Sequence, residues 1–136
     1  MRLIRCIFLG IIGFCIIPYF SNLLPGGGAA EQKWLDRVMT HIEMRLRTCE
    51  DPEMKVAFEH ALNYNRIGFF GVRVMQLPET HNGFNHPLCP GITIDEEVPH
   101  WDLKAGAFVI VHEAMHDLPP YLGHSHIDNQ QILESL

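Results

Sequence analysis

Hydrophobic and polar residues alternate with the period of an α-helix twice in the first half of the chain. Residues 31–49 place their large apolar side chains on one helical stripe and their charged side chains mainly elsewhere. Asp51, Pro52 and Glu53 then supply an N-cap, a proline suited to the first helical position and an acid for the first turn. The pattern therefore predicts two amphipathic helices, the second of which ends near residues 63–65.

Short strands are predicted for the middle of the chain, where the helical period is lost. Residues 67–77 and 92–94 are rich in apolar residues and glycine, and Asn82-Gly83 supplies a turn between them. Proline cannot donate a hydrogen bond to a neighbouring strand, so four prolines keep these strands short or at an edge: Pro78, Pro87, Pro90 and Pro99. We expect a short antiparallel sheet, followed by a solvated acidic loop at residues 95–97.

A third helix is predicted from Asp102 to His116, where a continuous apolar segment is long enough for about three helical turns. Asp102 is a suitable N-cap, and Pro119 and Pro120 end the helix because a proline ring removes a backbone donor. A segment this apolar should be buried. The predicted fold class is therefore α+β, with two N-terminal helices, a short antiparallel sheet and a C-terminal helix.

Residues 1–30 have the order of a secretory signal peptide. Two arginines lie among the first five residues, an uncharged apolar run follows, and residues 25–30 contain only proline, glycine and alanine. Cleavage after this segment leaves residues 31–136 as a secreted domain. The alternative is an uncleaved signal anchor, since the apolar part approaches the roughly 20 residues that a membrane span needs. Only in that case do we expect contact with a membrane.

The charge of the chain argues against nucleic-acid binding. Its 136 residues carry a formal net charge of −6, and no basic stripe occurs after residue 30. The length indicates a single domain, which we expect to be a monomer.

Two of the four cysteines are expected to form a disulfide. Cys6 and Cys15 lie in the leader, which leaves Cys49 and Cys89 as an even pair in an oxidising compartment. We therefore predict a Cys49–Cys89 bond, and the alternative is two buried free thiols.

The end of the third predicted helix carries the residues His112-Glu113-Ala114-Met115-His116. Residues four apart lie on the same helical face, so His112 and His116 can direct imidazole nitrogens to one zinc ion. Glu113 lies about 100 degrees round the helix, where it can act as general base on a zinc-bound water. Because the chain has nine histidines, a chance occurrence of this pattern is the competing explanation.

A third zinc ligand is expected in the segment after the two prolines. A catalytic zinc site usually has three protein ligands and one open position for water. His124, His126 and Asp128 occupy alternate positions, which point the same way if the segment is extended. Glu134 is a further candidate on a predicted short C-terminal helix. Spacing alone does not decide among the four residues.

The motif and its flanks resemble the aspzincins, the deuterolysin and fungal lysine-specific group of secreted zinc metalloendopeptidases. The likeness consists of residues 88–90, which read Leu-Cys-Pro, residues 102–106, which read Asp-Leu-Lys-Ala-Gly, the histidine motif at 112–116, and Gly123. In that family a glycine opens the segment that brings the third ligand and a tyrosine that stabilises the transition state. The resemblance implies a zincin-like fold with the motif on its active-site helix.

Carried over by position, the resemblance makes His112 and His116 zinc ligands and Glu113 the catalytic base. His126 then falls where the family has its aspartate ligand, and a shift of two residues would put Asp128 there instead. Asn129 occupies the position of the tyrosine. If Glu134 were the third ligand, the site would be similar to that of a gluzincin.

These observations predict a secreted zinc metalloendopeptidase that hydrolyses internal bonds of protein or peptide substrates. The alternative is a secreted zinc-binding protein of peptidase descent, weak or inactive in catalysis, that acts as an effector or binding module. Asn129 in place of the tyrosine favours the alternative, because a missing oxyanion donor can lower the rate by about 100- to 1000-fold.

Overall fold

The computed structural model describes residues 28–85, 90–119 and 128–136. Within these ranges the chain forms four α-helices and a small three-stranded mixed sheet, which confirms the predicted α+β class. The helices are α1 Gly28–Thr48, α2 Pro52–Ala61, α3 Leu103–Met115 and α4 Asn129–Ser135. The strands are β1 Val72–Met75, β2 Gly83–Asn85 and β3 Ile92–Asp95, and two short 3₁₀ helices lie at Leu62–Tyr64 and Val98–His100.

The two N-terminal helices form where the sequence predicts them, for the expected local reasons. The Asp51 side chain accepts hydrogen bonds from the backbone N–H groups of Glu53 at 2.8 Å and Met54 at 3.3 Å, which caps α2. Pro52 takes a place in the first turn, where its missing N–H costs nothing. α1 buries one apolar stripe, which consists of Trp34, Leu35, Val38, Met39 and Ile42.

The sheet is mixed, so the prediction of an antiparallel sheet is wrong for one of its two strand pairs. The strand order is β1-β3-β2, with β1 parallel and β2 antiparallel to β3. β3 takes the centre because its residues Ile92, Thr93 and Ile94 are all buried, and a central strand has partners on both sides. The chain reverses direction on entering β2 and again on entering β3, so β1 and β3 run the same way. Gly83, predicted to form a turn, pairs with Ile94 as the first residue of β2.

A buried arginine connects β1 to the chain around the start of β3. Arg73 is 1% exposed, and its Nε donates a hydrogen bond to Thr93 Oγ1 at 3.1 Å. Its other nitrogens donate to the backbone carbonyl oxygens of Phe69 at 2.7 Å, Gly91 at 3.2 Å and Pro90. A guanidinium is a fork of five donors, and this one is buried among oxygen acceptors. Its charge is therefore solvated by the protein.

α3 lies at the centre of the fold, in contact with α1 and α2 as well as with β2 and β3. Gly106 allows α1 to approach closely, because a Cβ at this position would lie 2.8 Å from the Trp34 ring. The Asp102 side chain accepts a hydrogen bond from the Ala105 N–H at 2.9 Å and caps the helix as predicted. The predicted burial is confirmed for most of the helix, namely for Gly106, Ala107, Val109, Ile110, Val111, Glu113, Ala114 and Met115.

α4 is fastened to the end of α1 and the start of α2. Ile132 and Leu136 are buried in the core. Arg45 Nε donates a hydrogen bond to the Ser135 carbonyl oxygen at 2.9 Å, and Gln131 Nε2 donates to Asp51 Oδ2 at 2.7 Å. A helix of this length has little stability of its own, so these contacts fix its place against α3.

Parts of two predictions lie outside the described residues. Residues 1–27 of the predicted leader are among these, and Gly28–Ala30 form the exposed start of α1. Cys89 also lies outside, and Cys49 is a half-buried free cysteine whose thiol lies 3.5 Å from the Asp51 carbonyl oxygen. The disulfide and the signal peptide stay predictions. Among the described residues, no helix combines the length and apolar character required to span a membrane.

Candidate metal centre

The side chains of His112, Glu113 and His116 meet at the C-terminal end of α3. One ligand atom from each residue can be chosen such that all three atoms lie within 4.8 Å of one another. The rings of the two histidines have centroids 5.1 Å apart and are nearly perpendicular, at 78°. Both histidines are half-buried, whereas Glu113 is only 6% exposed. The helix therefore brings together the three residues that the sequence pattern singles out.

His112 also has a contact on the other side of its ring. Its Nδ1 lies 2.9 Å from Oδ1 of Asn129, the first residue of α4. An amide oxygen can only accept, so Nδ1 carries the proton and Nε2 keeps the lone pair that a metal needs. Burial lowers the pKa of His112, the Asn129 hydrogen bond raises it, and the charge of His116 lowers it further. The net shift favours the neutral, metal-binding imidazole.

Glu113 is buried against β2. A Cβ on Gly83 would lie 2.7 Å from Glu113 Oε1 and 2.7 Å from its Cγ, so any other residue here would displace this side chain. Asn85 Nδ2 donates a hydrogen bond to the Glu113 carbonyl oxygen at 2.8 Å. Burial raises the pKa of the Glu113 carboxyl from 4.5 to about 7, and a hydrogen bond from the Asn85 backbone opposes this rise. The carboxyl group can therefore exchange a proton near neutral pH.

The donor set at this helix end fits a divalent cation. Two imidazoles, at least one of them held neutral, lie beside a buried carboxylate whose charge is poorly compensated by the described residues. A buried carboxylate is costly to ionise without a positive partner, and a bound cation supplies one. The group could hold a metal ion on these grounds.

The four candidates for the third ligand are divided by the structure. His124 and His126 lie outside the described residues. Asp128 Oδ1 caps α4 by accepting from the N–H groups of Gln130 at 3.0 Å and Gln131 at 3.2 Å. Exposed Glu134 accepts from Gln130 Nε2 at 2.7 Å. Among the described residues, neither acid joins the ligand group of α3. The third ligand stays a prediction, with His126 first and Asp128 as its alternative.

A second cluster, not anticipated from the sequence, holds the end of α3. Asp117 follows His116 directly, and its Oδ2 accepts a short hydrogen bond from the Tyr64 hydroxyl. His60 Nε2 lies 3.2 Å from the same oxygen. Burial and the neighbouring Asp117 raise the pKa of Tyr64, which keeps its hydroxyl protonated as a donor. These contacts tie the chain beside His116 to α2 and the 3₁₀ helix after it.

Sequence reasoning also missed the contacts that Gly83, Asn85 and Asn129 make with the motif. Each contacts the motif across a large sequence separation, which is 28 residues for Asn85 and 17 for Asn129. Gly83 alone carried a local signal, because a glycine inside a strand often marks a close approach by another group. The Asn82-Gly83 pair predicts a turn instead.

No family model, curated protein or solved structure matches this chain. The resemblance to the aspzincins therefore rests on residues 88–90, 102–106 and 112–116 and on Gly123. The geometry and electrostatics of the α3 end are the independent ground for a functional hypothesis.

Proposed function

We propose that the chain is a secreted zinc-dependent endopeptidase with a zincin-like fold, similar to the aspzincins. His112, His116 and His126 hold the zinc ion, and Glu113 is the general base. The observation that carries this proposal is the position of a buried glutamate with a pKa of about 7 beside two histidines that share its helix end. A structural glutamate gains nothing from such burial, whereas a buried carboxyl beside two imidazoles is placed to bind a proton next to a metal-bound water.

Zinc is favoured over other cations by the chemistry of the donors. Imidazole nitrogens suit zinc, while magnesium and calcium prefer sites made of oxygen ligands. When bound, zinc supplies positive charge that polarises the scissile carbonyl and lowers the pKa of a water molecule. The neutral state of His112, favoured by its burial, is the state that can bind this ion.

Glu113 moves the proton in the proposed reaction. With a cation bound at the two histidines, Glu113 would be ionised, and its carboxylate would accept a proton from the water that attacks the scissile carbonyl. The same carboxyl then passes the proton to the leaving amine of the cleaved peptide bond. Contact with Gly83 restricts where the carboxylate can lie, and the Asn85 backbone hydrogen bond orients it. Both restraints favour one productive position of the base.

The proposal is tested by Glu113→Gln, which keeps the shape of the side chain but cannot accept the proton. We expect peptide cleavage to fall by about 100- to 10,000-fold at unchanged zinc content. Casein or a peptide library serves as substrate, and zinc is measured in the same samples. Exposed Glu96→Gln is the matched control and should cleave like the wild type. Equal cleavage by Glu113→Gln and wild type would refute the proposal.

A second candidate function is zinc binding without turnover, in an effector or binding module. Asn129 favours this function. It occupies the position of the family's tyrosine, but its side chain contacts the predicted zinc ligand His112. Stoichiometric zinc in a protein that cleaves no member of a peptide library would select this second function. Any Glu113-dependent cleavage would exclude it.

A further inference from the structure

The contact between Asn129 and His112 joins the start of α4 to the end of α3. Asn129 Oδ1 lies 2.9 Å from His112 Nδ1. The asparagine is exposed, so its side chain does not fill a core position. Its hydrogen bond to the ring is therefore the feature that needs an explanation.

The backbone that carries Asn129 is held firmly. Asp128 caps the first turn of α4, and Ile132, which is 0% exposed, anchors the helix in the core. The hydrogen bond from Gln131 to Asp51 ties the same turn to α2 and lowers the pKa of Asp51. An amide placed on a fixed helix loses little further entropy when it contacts the ring. It can therefore impose one orientation on His112.

We propose that Asn129 is a positioning residue that fixes His112 as the Nδ1–H tautomer and directs its Nε2 toward the metal. The hydrogen bond at one ring nitrogen decides which nitrogen is protonated. A residue that bonds to a metal ligand in this way also fixes the orientation of the ring. This inference rests on the metal-binding part of the proposed function. It gives Asn129 a role in the metal site in place of the transition-state role of the family's tyrosine.

Four variants of α4 separate positioning from stability. Asn129→Leu and Asn129→Ala remove the acceptor, and each should weaken zinc binding by about 10- to 100-fold. Asn129→Asp keeps an acceptor oxygen and should restore binding to within about threefold of the wild type. Gln131→Ala cuts the tie of the same turn to Asp51 but keeps the acceptor on Asn129, so it should lower the melting temperature and weaken zinc binding far less than Asn129→Ala does. Affinity is measured by competition with a coloured chelator, and folding by circular dichroism.

The tautomer provides a readout that needs no zinc and no activity. Nitrogen-15 NMR of the metal-free protein should show His112 with a protonated Nδ1 and a bare Nε2. Asn129→Leu should shift this equilibrium toward Nε2–H, and Asn129→Asp should not. An unchanged tautomer or an unchanged zinc affinity in both Asn129→Leu and Asn129→Ala would overturn the inference. A wild-type protein that binds no zinc would contradict the proposed function, while the NMR result would still decide whether Asn129 sets the tautomer.

Discussion

Arg73 and Glu113 are buried side chains of opposite charge among the described residues, and their surroundings differ sharply. Arg73, 1% exposed, donates hydrogen bonds to Thr93 and to three backbone carbonyl oxygens near β1 and β3. Glu113 is 6% exposed, and its burial raises the pKa of the carboxyl to about 7. A hydrogen bond from the Asn85 backbone offsets only part of this rise. A buried charge surrounded by acceptors is part of the framework. A buried carboxyl with few hydrogen-bond donors or positive charges around it binds a proton or a cation readily. A catalytic site can use this property.

The largest expected effect is the loss of catalysis in Glu113→Gln, combined with retained folding. Peptide cleavage should fall by about 100- to 10,000-fold. The metal-free variant should be at least as stable as the wild type at pH 8, because the amide has no charge to bury. Cleavage and chemical denaturation are measured on the same preparation. If the loss of activity were explained by a loss of folding stability, Glu113 would be a structural residue like Arg73.

The reverse result is expected for Arg73→Met. Removal of the guanidinium leaves several buried acceptors without their donor, so the free energy of unfolding should fall by about 3 to 5 kcal/mol. The folded fraction should retain the zinc affinity of the wild type, because Arg73 bonds to Thr93 and to the carbonyl oxygens of Phe69, Pro90 and Gly91, which are not members of the candidate metal centre. Urea denaturation measures the loss, and exposed Arg47→Met is the matched control. A change below about 1 kcal/mol would show that the arginine is not a framework charge.

The pH dependence of stability sharpens the comparison further. The pKa of Glu113 in the folded protein, about 7, lies above its ordinary value of 4.5. Below pH 4.5 the carboxyl is protonated in both the folded and the unfolded state, so no charge has to be buried on folding. Stability should then fall as pH rises from 4.5 to about 7, by up to about 3 kcal/mol in the metal-free protein, and level off above pH 7, where the carboxyl is ionised in both states. Glu113→Gln should lack this loss. Unfolding free energies between pH 4.5 and 8.5 give the difference between the two proteins, and parallel curves would contradict the assignment.

The smallest expected effect comes from Gly83→Ala. The added Cβ would lie 2.7 Å from Glu113 Oε1, so the carboxyl must move. A displacement of a catalytic group on this scale should lower kcat/KM by about 10- to 100-fold, with a stability loss of about 1 kcal/mol. The exposed Glu96→Gln variant is again the control and should behave like the wild type. Full activity in Gly83→Ala would mean that β2 does not position the base.

Local signals explain which parts of the fold could be predicted from the sequence. Asp51 and Asp102 cap α2 and α3 as expected, because capping depends on a side chain and a backbone N–H two or three residues away. The apolar period of α1 and the burial of α3 are equally local properties. The sheet was predicted less well, because the central position of β3 depends on pairing between strands distant in sequence.

The same distinction holds for the candidate site. The pair His112 and His116 could be found from spacing on one helix. The contacts of Glu113 with β2, of His112 with Asn129 and of Asp117 with Tyr64 join residues far apart in the chain, and Tyr64 and Asp117 are 53 residues apart. No sequence period reports such contacts. The surroundings that distinguish a reactive carboxyl from a framework charge are therefore the part that needs the fold.

The most direct test of the metal site is the zinc content of the folded protein after dialysis against a weak chelator. Elemental analysis or native mass spectrometry should find one zinc ion per wild-type chain. The double variant His112→Ala, His116→Ala should hold none while it retains the circular dichroism spectrum of the wild type. A wild-type protein without stoichiometric zinc, or a double variant that still holds the ion, would contradict the assignment of the α3 end as a zinc site.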